Sequence, residues 1–240
     1  MKKTLLDEQT EKVIENRLFH HVYQPLYFLS DWSLLGYEAF LRTQYFVSPE
    51  QLFQNAERID KLYELDILSL FKAIVSYTPK NKALQTSLFV NIFPSTLLHP
   101  DFHCFLDGLL SDYTVSKGEI VLEINESQEI NDVKSMRNIL SFLHQNGFQI
   151  ALDDVGKGSA SFKNLVEFEP DFVKLDRYFS IDLSVCPRKQ RLIELLVSYC
   201  KDEAYLILEG IEKSEDLAIA KLLGVNIGQG YLLGKPEQFS

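Results

Sequence analysis

The 240-residue sequence predicts a closed α/β barrel of the modified TIM (β/α)8 type, with one antiparallel strand in its opening hairpin. Three observations carry this reading. From Ser87 onward, short strand-like runs alternate with helical patterns as far as Ile227, the order that gives a mostly parallel sheet with helical crossovers. Ahead of them, two strand-like runs are separated by a polar turn at Ser30 and Asp31, so they should pair antiparallel. A hydrophobic content of 46%, with 17 Phe and 11 Tyr, is enough to fill one large core.

In chain order, residues 4–18 place apolar side chains at Leu5, Leu6, Val13, Ile14 and Leu18, a modest helical pattern expected to pack outside the main body. Residues 1–18 are therefore read as a helical extension and 19–240 as the barrel, with no low-complexity linker to divide it. The hairpin runs from His21 to Leu29 and from Leu34 to Arg42. On its second strand, a period of two puts Glu38, Phe40 and Arg42 on one face and Ala39 and Leu41 on the other. That polar face is either a cross-strand ion pair in solvent or part of a site. Ser48 and Pro49 open a helix, as N-cap and first-turn residues, and a second helix follows at 60–77. The strand Ser87–Ile92 carries Asn91, whose amide either caps the next helix or offers its carbonyl oxygen to a hard cation. Helices at 101–110, 130–146, 161–168, 188–201 and 214–223 then alternate with strands at 119–125, 148–153, 171–175, 205–208 and 225–227.

A formal net charge of −10 disfavours a surface for nucleic-acid polymers, which needs clustered Lys and Arg. It leaves a small phosphate ligand open, because divalent cations held by carboxylates reverse the local field. Cys104, Cys186 and Cys200 have neither CxxC spacing nor an even count and read as core thiols in a reducing compartment. The first residues turn acidic at Asp7 and Glu8 before any long apolar run, so no signal peptide or membrane anchor is expected and a cytoplasmic location is.

The chemistry is concentrated where strands end. Ile150–Gly158 is an apolar run that closes in Asp153 and Asp154 and then a glycine-punctuated loop. Alone, Asp before Gly is a common turn or cap signal. The pattern recurs, however: Asn91, Glu123 with Glu126 just beyond, Lys174 with Asp176, Glu209 with Glu212, and Gln229 stand at or just after other strand ends. In a barrel these converge on one rim. So many carboxylates repel one another unless cations are present, and oxygen ligands without Cys or His select Mg2+ or Mn2+. The five histidines, His20, His21, His99, His103 and His144, lie away from this set and are expected to be structural.

Glu38-Ala39-Phe40-Leu41-Arg42 resembles the Glu-Ala-Leu-x-Arg signature of EAL domains, bacterial phosphodiesterases that linearise cyclic di-GMP. The resemblance runs from Tyr23-Gln24-Pro25 to Gln229-Gly230-Tyr231, with the segments in the family's order. It implies Glu38, Asn91, Glu123 and Asp153 as ligands of one divalent ion, with Asp153, Asp154 and Glu209 around a second and Asp153 bridging. It further implies Lys174 beside the attacking water, Glu209, Glu212 and Gln229 among the catalytic positions, Gln24, Phe40 and Arg42 in substrate binding, and Glu126 steadying the loop after the Asp pair. The implied activity is hydrolysis of cyclic di-GMP to linear pGpG by two-metal in-line attack with two Mg2+ or Mn2+ ions. The alternative is a catalytically weak EAL domain that serves as a cyclic di-GMP receptor or protein-binding regulator. A homodimer is the implied assembly.

Two departures from the family stand out. Phe40 replaces the signature Leu, and Val155-Gly156-Lys157-Gly158-Ser159-Ala160-Ser161 replaces a loop that usually reads Phe-Gly-Thr-Gly-Tyr-Ser-Ser. Both glycines remain, while an aromatic and one hydroxyl are lost, which bears on rate and assembly more than on fold.

Overall fold

The computed structural model describes residues 3–77, 86–112, 118–125, 128, 130, 132–156 and 161–238. Eight strands, β1 (His20–Phe28), β2 (Leu34–Arg42), β3 (Ser87–Ile92), β4 (Ile120–Asn125), β5 (Gln149–Val155), β6 (Phe172–Leu175), β7 (Tyr205–Leu208) and β8 (Ile227–Gly228), close into a barrel in sequence order. Neighbours from β2 to β8 are parallel, and β1 runs antiparallel to both β2 and β8. This is the modified barrel that the opening hairpin predicts.

The helices α1 (Leu5–Glu15), α2 (Pro49–Arg58), α3 (Leu62–Tyr77), α4 (Pro94–Leu97), α5 (Phe102–Asp112), α6 (Val133–Gln145), α7 (Ser161–Phe168), α8 (Pro187–Cys200) and α9 (Ser214–Leu222) accompany the sheet. Helix starts obey local chemistry. Thr4 forms a capping box with Asp7 at α1, and the Ser48 hydroxyl accepts the Gln51 amide ahead of Pro49 at α2. Between the sheet and the helices lies the main core, from Leu70 and Tyr77 through Phe102, Leu140 and Leu165 to Leu196 and Ala220. A second cluster joins α1, α2 and α3 through Val13, Ile14, Leu52, Ala56 and Leu65, with Phe19 just ahead of β1 and Leu41 of β2.

Inside the barrel, Leu26, Phe89, Val121, Ala151, Phe172, Ile207 and Ile227 form an apolar layer, one residue from each of seven strands. Strand side chains alternate between faces, so the next inward position lies two residues further along each parallel strand. Those positions are Asn91, Glu123, Asp153, Lys174, Glu209 and Gln229, and on antiparallel β1 the count runs backwards to Gln24. Gln24 faces Glu38 of β2 in the hairpin register. The polar rim is therefore the floor of apolar side chains moved up by one pleat. At Gly36 any side chain would collide with β3, since a Cβ there would sit 1.9 Å from the Ser87 carbonyl oxygen.

Several expectations need correction. Only Cys200 is a core thiol; Cys186 is half-buried and Cys104 exposed, because Phe102 and Leu106 take the inward positions of α5. Asn91 does not cap a helix, for Phe93 holds the N-cap of α4 without a side-chain bond. β8 is Ile227–Gly228 rather than 225–227, its register being set by β7 and β1. No helix among the described residues is long and apolar enough to cross a membrane.

Candidate active site

Lys174, fully buried on β6, organises the rim. Its ammonium lies 2.6 Å from Glu123 Oε1, 2.7 Å from Glu209 Oε1, 3.1 Å from Glu38 Oε2 and 3.3 Å from Asp153 Oδ1. Burial opposes its charge, yet the carboxylates of Asp153, Glu123, Glu209 and Glu38 outweigh it and hold the ammonium protonated well above the usual lysine range. Around this centre, Asn91 Nδ2 donates to Glu123 Oε2 at 3.1 Å and to Glu38 Oε1 at 3.3 Å. Gln229 Nε2 donates to Glu38 Oε2 at 2.8 Å and reaches Gln24 Oε1 at 3.4 Å, and Gln24 Nε2 donates to the Gly234 carbonyl. The face of β2 that sequence alone left between an ion pair and a site is thus resolved: Glu38 turns to Lys174, and Arg42 donates to the Leu41 carbonyl with its guanidinium 5.5 Å from the Phe40 ring centroid.

Two consecutive aspartates cannot both face inward on a regular strand. β5 manages it by breaking its register with β6 between Leu152 and Val155, and Asp154 takes a left-handed backbone, φ +57°. As a result Asp153, Asp154 and Glu209 each bring a carboxylate oxygen within 4.8 Å of the others. Glu209 leaves the end of β7 with its amide bonded to the Leu175 carbonyl at 3.2 Å. The next residue, Gly210, has φ +66°, and a Cβ there would lie 2.4 Å from that of Arg177.

Five carboxylates, Glu38, Glu123, Asp153, Asp154 and Glu209, set against one ammonium leave a formal charge of −4. The strain of this excess is visible in the acids themselves. Burial, with Glu38 and Asp153, holds Glu123 well above the carboxylate range despite Lys174, and burial, with Asp153 and Glu38, pushes Glu209 up to about 8. Glu123 Oε1, though ion-paired to Lys174, has no donor aligned for a hydrogen bond. An all-oxygen cluster short of positive charge and with a buried, undirected carboxylate oxygen fits divalent cations, and two of them would bring its charge to zero.

Above the cluster opens a cavity of about 750 Å3. Lys174 and Glu123 lie beneath its floor, while Gln24, Phe40, Arg42, Glu212, Gly230 and Tyr231 line it together with Glu38, Asn91, Asp153, Asp154, Glu209 and Gln229. So do Phe53 and Glu57 of α2, Asp66 of α3, Phe93 after β3, and Asp176 and Arg177 after β6, none of which reading strand ends singles out as ligand-facing except Asp176. A signal for Arg177 exists in the sequence: it follows Lys174 by three residues, on the loop leaving the rim. A recess of about 290 Å3 at Arg17–His20 and Thr43–Tyr45 holds none of the clustered carboxylates. Glu126 and residues 157–160 of the altered loop lie outside the described residues.

The EAL domain family model matches residues 7–236. The chain belongs to the EAL domain family. This EAL domain is 28% identical over 239 residues to cyclic di-GMP phosphodiesterase PA2567 of Pseudomonas aeruginosa, covering 97% of this chain and 41% of that protein. It is 28% identical over 239 residues to cyclic di-GMP phosphodiesterase PdeL of Escherichia coli, covering 95% of this chain and 65% of the relative. The chain thus spans less than two thirds of the length of either relative. Among solved structures, BlrP1 of Klebsiella pneumoniae, in a manganese and cyclic di-GMP complex, superposes with a TM-score of 0.81 at 25% identity over 92% of this chain and 56% of that one. The FimX EAL domain of Xanthomonas citri superposes with a TM-score of 0.86 over 98% of this chain and 94% of that one; at 24% identity it speaks for the EAL fold alone.

Proposed function

We propose that this EAL domain is a metal-dependent phosphodiesterase that opens cyclic di-GMP to linear pGpG by in-line attack with two divalent ions. The observation that carries the proposal is the rim cluster, in which four carboxylates share one buried lysine and Asp154 stands beside two of them, beneath a cavity large enough for a nucleotide ligand. Glu38, Asn91, Glu123 and Asp153 would hold one ion, and Asp153, Asp154 and Glu209 the other. Bound Mg2+ or Mn2+ supplies Lewis acidity toward a phosphodiester oxygen and toward water.

The chain's own residues do the rest. Lys174 keeps a fixed positive charge where negative charge develops on the phosphorane-like oxygens, and the surrounding carboxylates hold its ammonium without reorganisation. Gln229 and Gln24 orient Glu38 through a hydrogen-bonded chain that begins at the Gly234 carbonyl. Arg42, bonded to no carboxylate among the described residues, is available to a substrate phosphate, while Phe40 and Tyr231 offer ring faces to a base. Glu212 lines the mouth of the cavity, where it shapes the approach of an anionic substrate.

Purified protein given cyclic di-GMP and Mg2+ or Mn2+ should release pGpG, read by chromatography. Excess EDTA should stop turnover, and Ca2+ should inhibit it, because its looser coordination misplaces the attacking water. Product formation in excess chelator would overturn the metal-dependent reading.

A further inference from the structure

We infer that Arg177 is a second phosphate-binding arginine of this site, paired across the barrel with Arg42. The inference rests on reading the site as one for cyclic di-GMP and deepens it. In a ring of eight strands taken in sequence order, β2 and β6 stand opposite one another. Arg42 ends β2 and Arg177 follows β6 by two residues, so the two guanidiniums enter the same cavity from opposite walls. A cyclic dinucleotide carries its two phosphodiesters on opposite sides of its ring, and a clamp of two opposed arginines matches that spacing of charge.

Local structure fixes the base of Arg177 and leaves its tip available. Its backbone begins a 3-10 turn in which the Asp176 carboxylate accepts the Tyr178 amide at 2.8 Å. The Ser180 hydroxyl, 2.9 Å from both the Arg177 and the Gly210 carbonyls, ties this turn to the loop after β7. The side chain nevertheless stays 62% exposed, and its one ion-pair partner among the described residues, Glu212, is 3.6 Å away and itself half in solvent. An ion pair so loose and wet contributes little and is easily exchanged for a phosphate oxygen. Glu212 then acts as the counter-ion that Arg177 leaves when substrate arrives.

The test is calorimetric binding of cyclic di-GMP in a Ca2+ buffer to the intact chain carrying Arg177→Met, which keeps the Cβ packed on Gly210, and Arg177→Lys, which keeps the charge. Arg177→Met should raise Kd about tenfold and flatten its salt dependence, with Arg177→Lys between it and the parent. Mn2+ affinity and the melting temperature should stay within error, since a purely structural arginine would instead disturb the Glu209 loop and the metal. Glu212→Gln should tighten binding severalfold in the parent and have no effect beside Arg177→Met, because the counter-ion then has nothing to release. Unchanged Kd in a folded Arg177→Met protein, or equal gains from Glu212→Gln in both backgrounds, would overturn the assignment while leaving the phosphodiesterase reading intact. No binding by the parent would overturn both.

Discussion

Asp153 is where the two halves of the carboxylate cluster meet: it pairs with Lys174 on one side and stands with Asp154 and Glu209 on the other. Asp153→Asn removes charge from both halves at once, so hydrolysis of cyclic di-GMP at saturating substrate should fall by about a thousandfold or more. Arg42→Ala should mainly raise KM, about tenfold, because the guanidinium touches no group of the cluster. Steady-state kinetics of both variants separate the two outcomes, and near-normal turnover by Asp153→Asn would overturn the site assignment. His21 illustrates a residue whose cost lies in stability. It is buried against Ser69 at 3.0 Å, its Nδ1 has no hydrogen-bond partner among the described residues, and burial, with Lys72, His20 and Arg42 nearby, lowers its pKa from 6.5 to about 3. The folded state therefore binds fewer protons there than the unfolded chain. The corresponding stability is complete above pH 6.5 and is lost as pH falls toward 3. Between pH 7 and pH 5 this costs about 2 kcal/mol, which His21→Gln should abolish. Urea unfolding at the two pH values checks it, and parallel losses in both proteins would show that another group governs acid sensitivity.

At the scale of elements, α2 does two jobs. One face carries Phe53 and Glu57 to the cavity, and the other is fastened to α1, where Asn55 Nδ2 donates to Thr10 Oγ1 at 2.6 Å and to the Leu6 carbonyl at 3.2 Å, and Arg58 pairs with Asp7. Asn55→Ala takes a donor from the buried Thr10 hydroxyl and an acceptor from the Arg58 guanidinium and should cost about 2 kcal/mol. Because the same helix walls the cavity, the variant should also bind cyclic di-GMP more weakly with little change in kcat. A variant that loses stability yet keeps its KM would show that the α1 contact does not reach the cavity. Much of this level was readable beforehand. The strands that bear Asn91, Glu123, Asp153, Lys174 and Glu209 announce themselves as apolar runs ending in polar residues, and period two assigns those residues to the inner face. What periodicity could not supply was the irregularity of β5 that brings Asp154 beside Asp153, since a bulge is a break in the very pattern being read. Nor could it find Phe53, Asp66 or Phe93, whose approach to the cavity depends on how α2, α3 and the loop after β3 pack, or Cys104, whose exposure follows from the rotation of α5.

Over the whole molecule, the barrel is weakest at β8, which pairs at only two positions with β7 and at only two with β1, the latter being the seam between its last and first strands. β8 is two residues long and meets β1 only at Ile227 and Phe28 and at Gly228 and Tyr27, although the segment after it adds a bridge from Glu237 to Tyr23. Amide hydrogen exchange should accordingly be faster at Ile227 and Gly228 than in β4 or β5, and slower when cyclic di-GMP is bound, since a ligand that touches Gln24, Glu38 and Gln229 favours the closed ring. Equal protection around the ring would show that the seam is not the point of opening. The antiparallel hairpin gives that seam a place in the order of folding. β1 and β2 are neighbours in sequence and can pair within microseconds, whereas joining β8 to β1 closes a loop of roughly 200 residues and belongs among the last events. Glu38 and Gln24 are thus in place early and wait for Gln229, so a nascent or stalled chain that has folded everything but its final strand is already compact and still has an incomplete rim cluster.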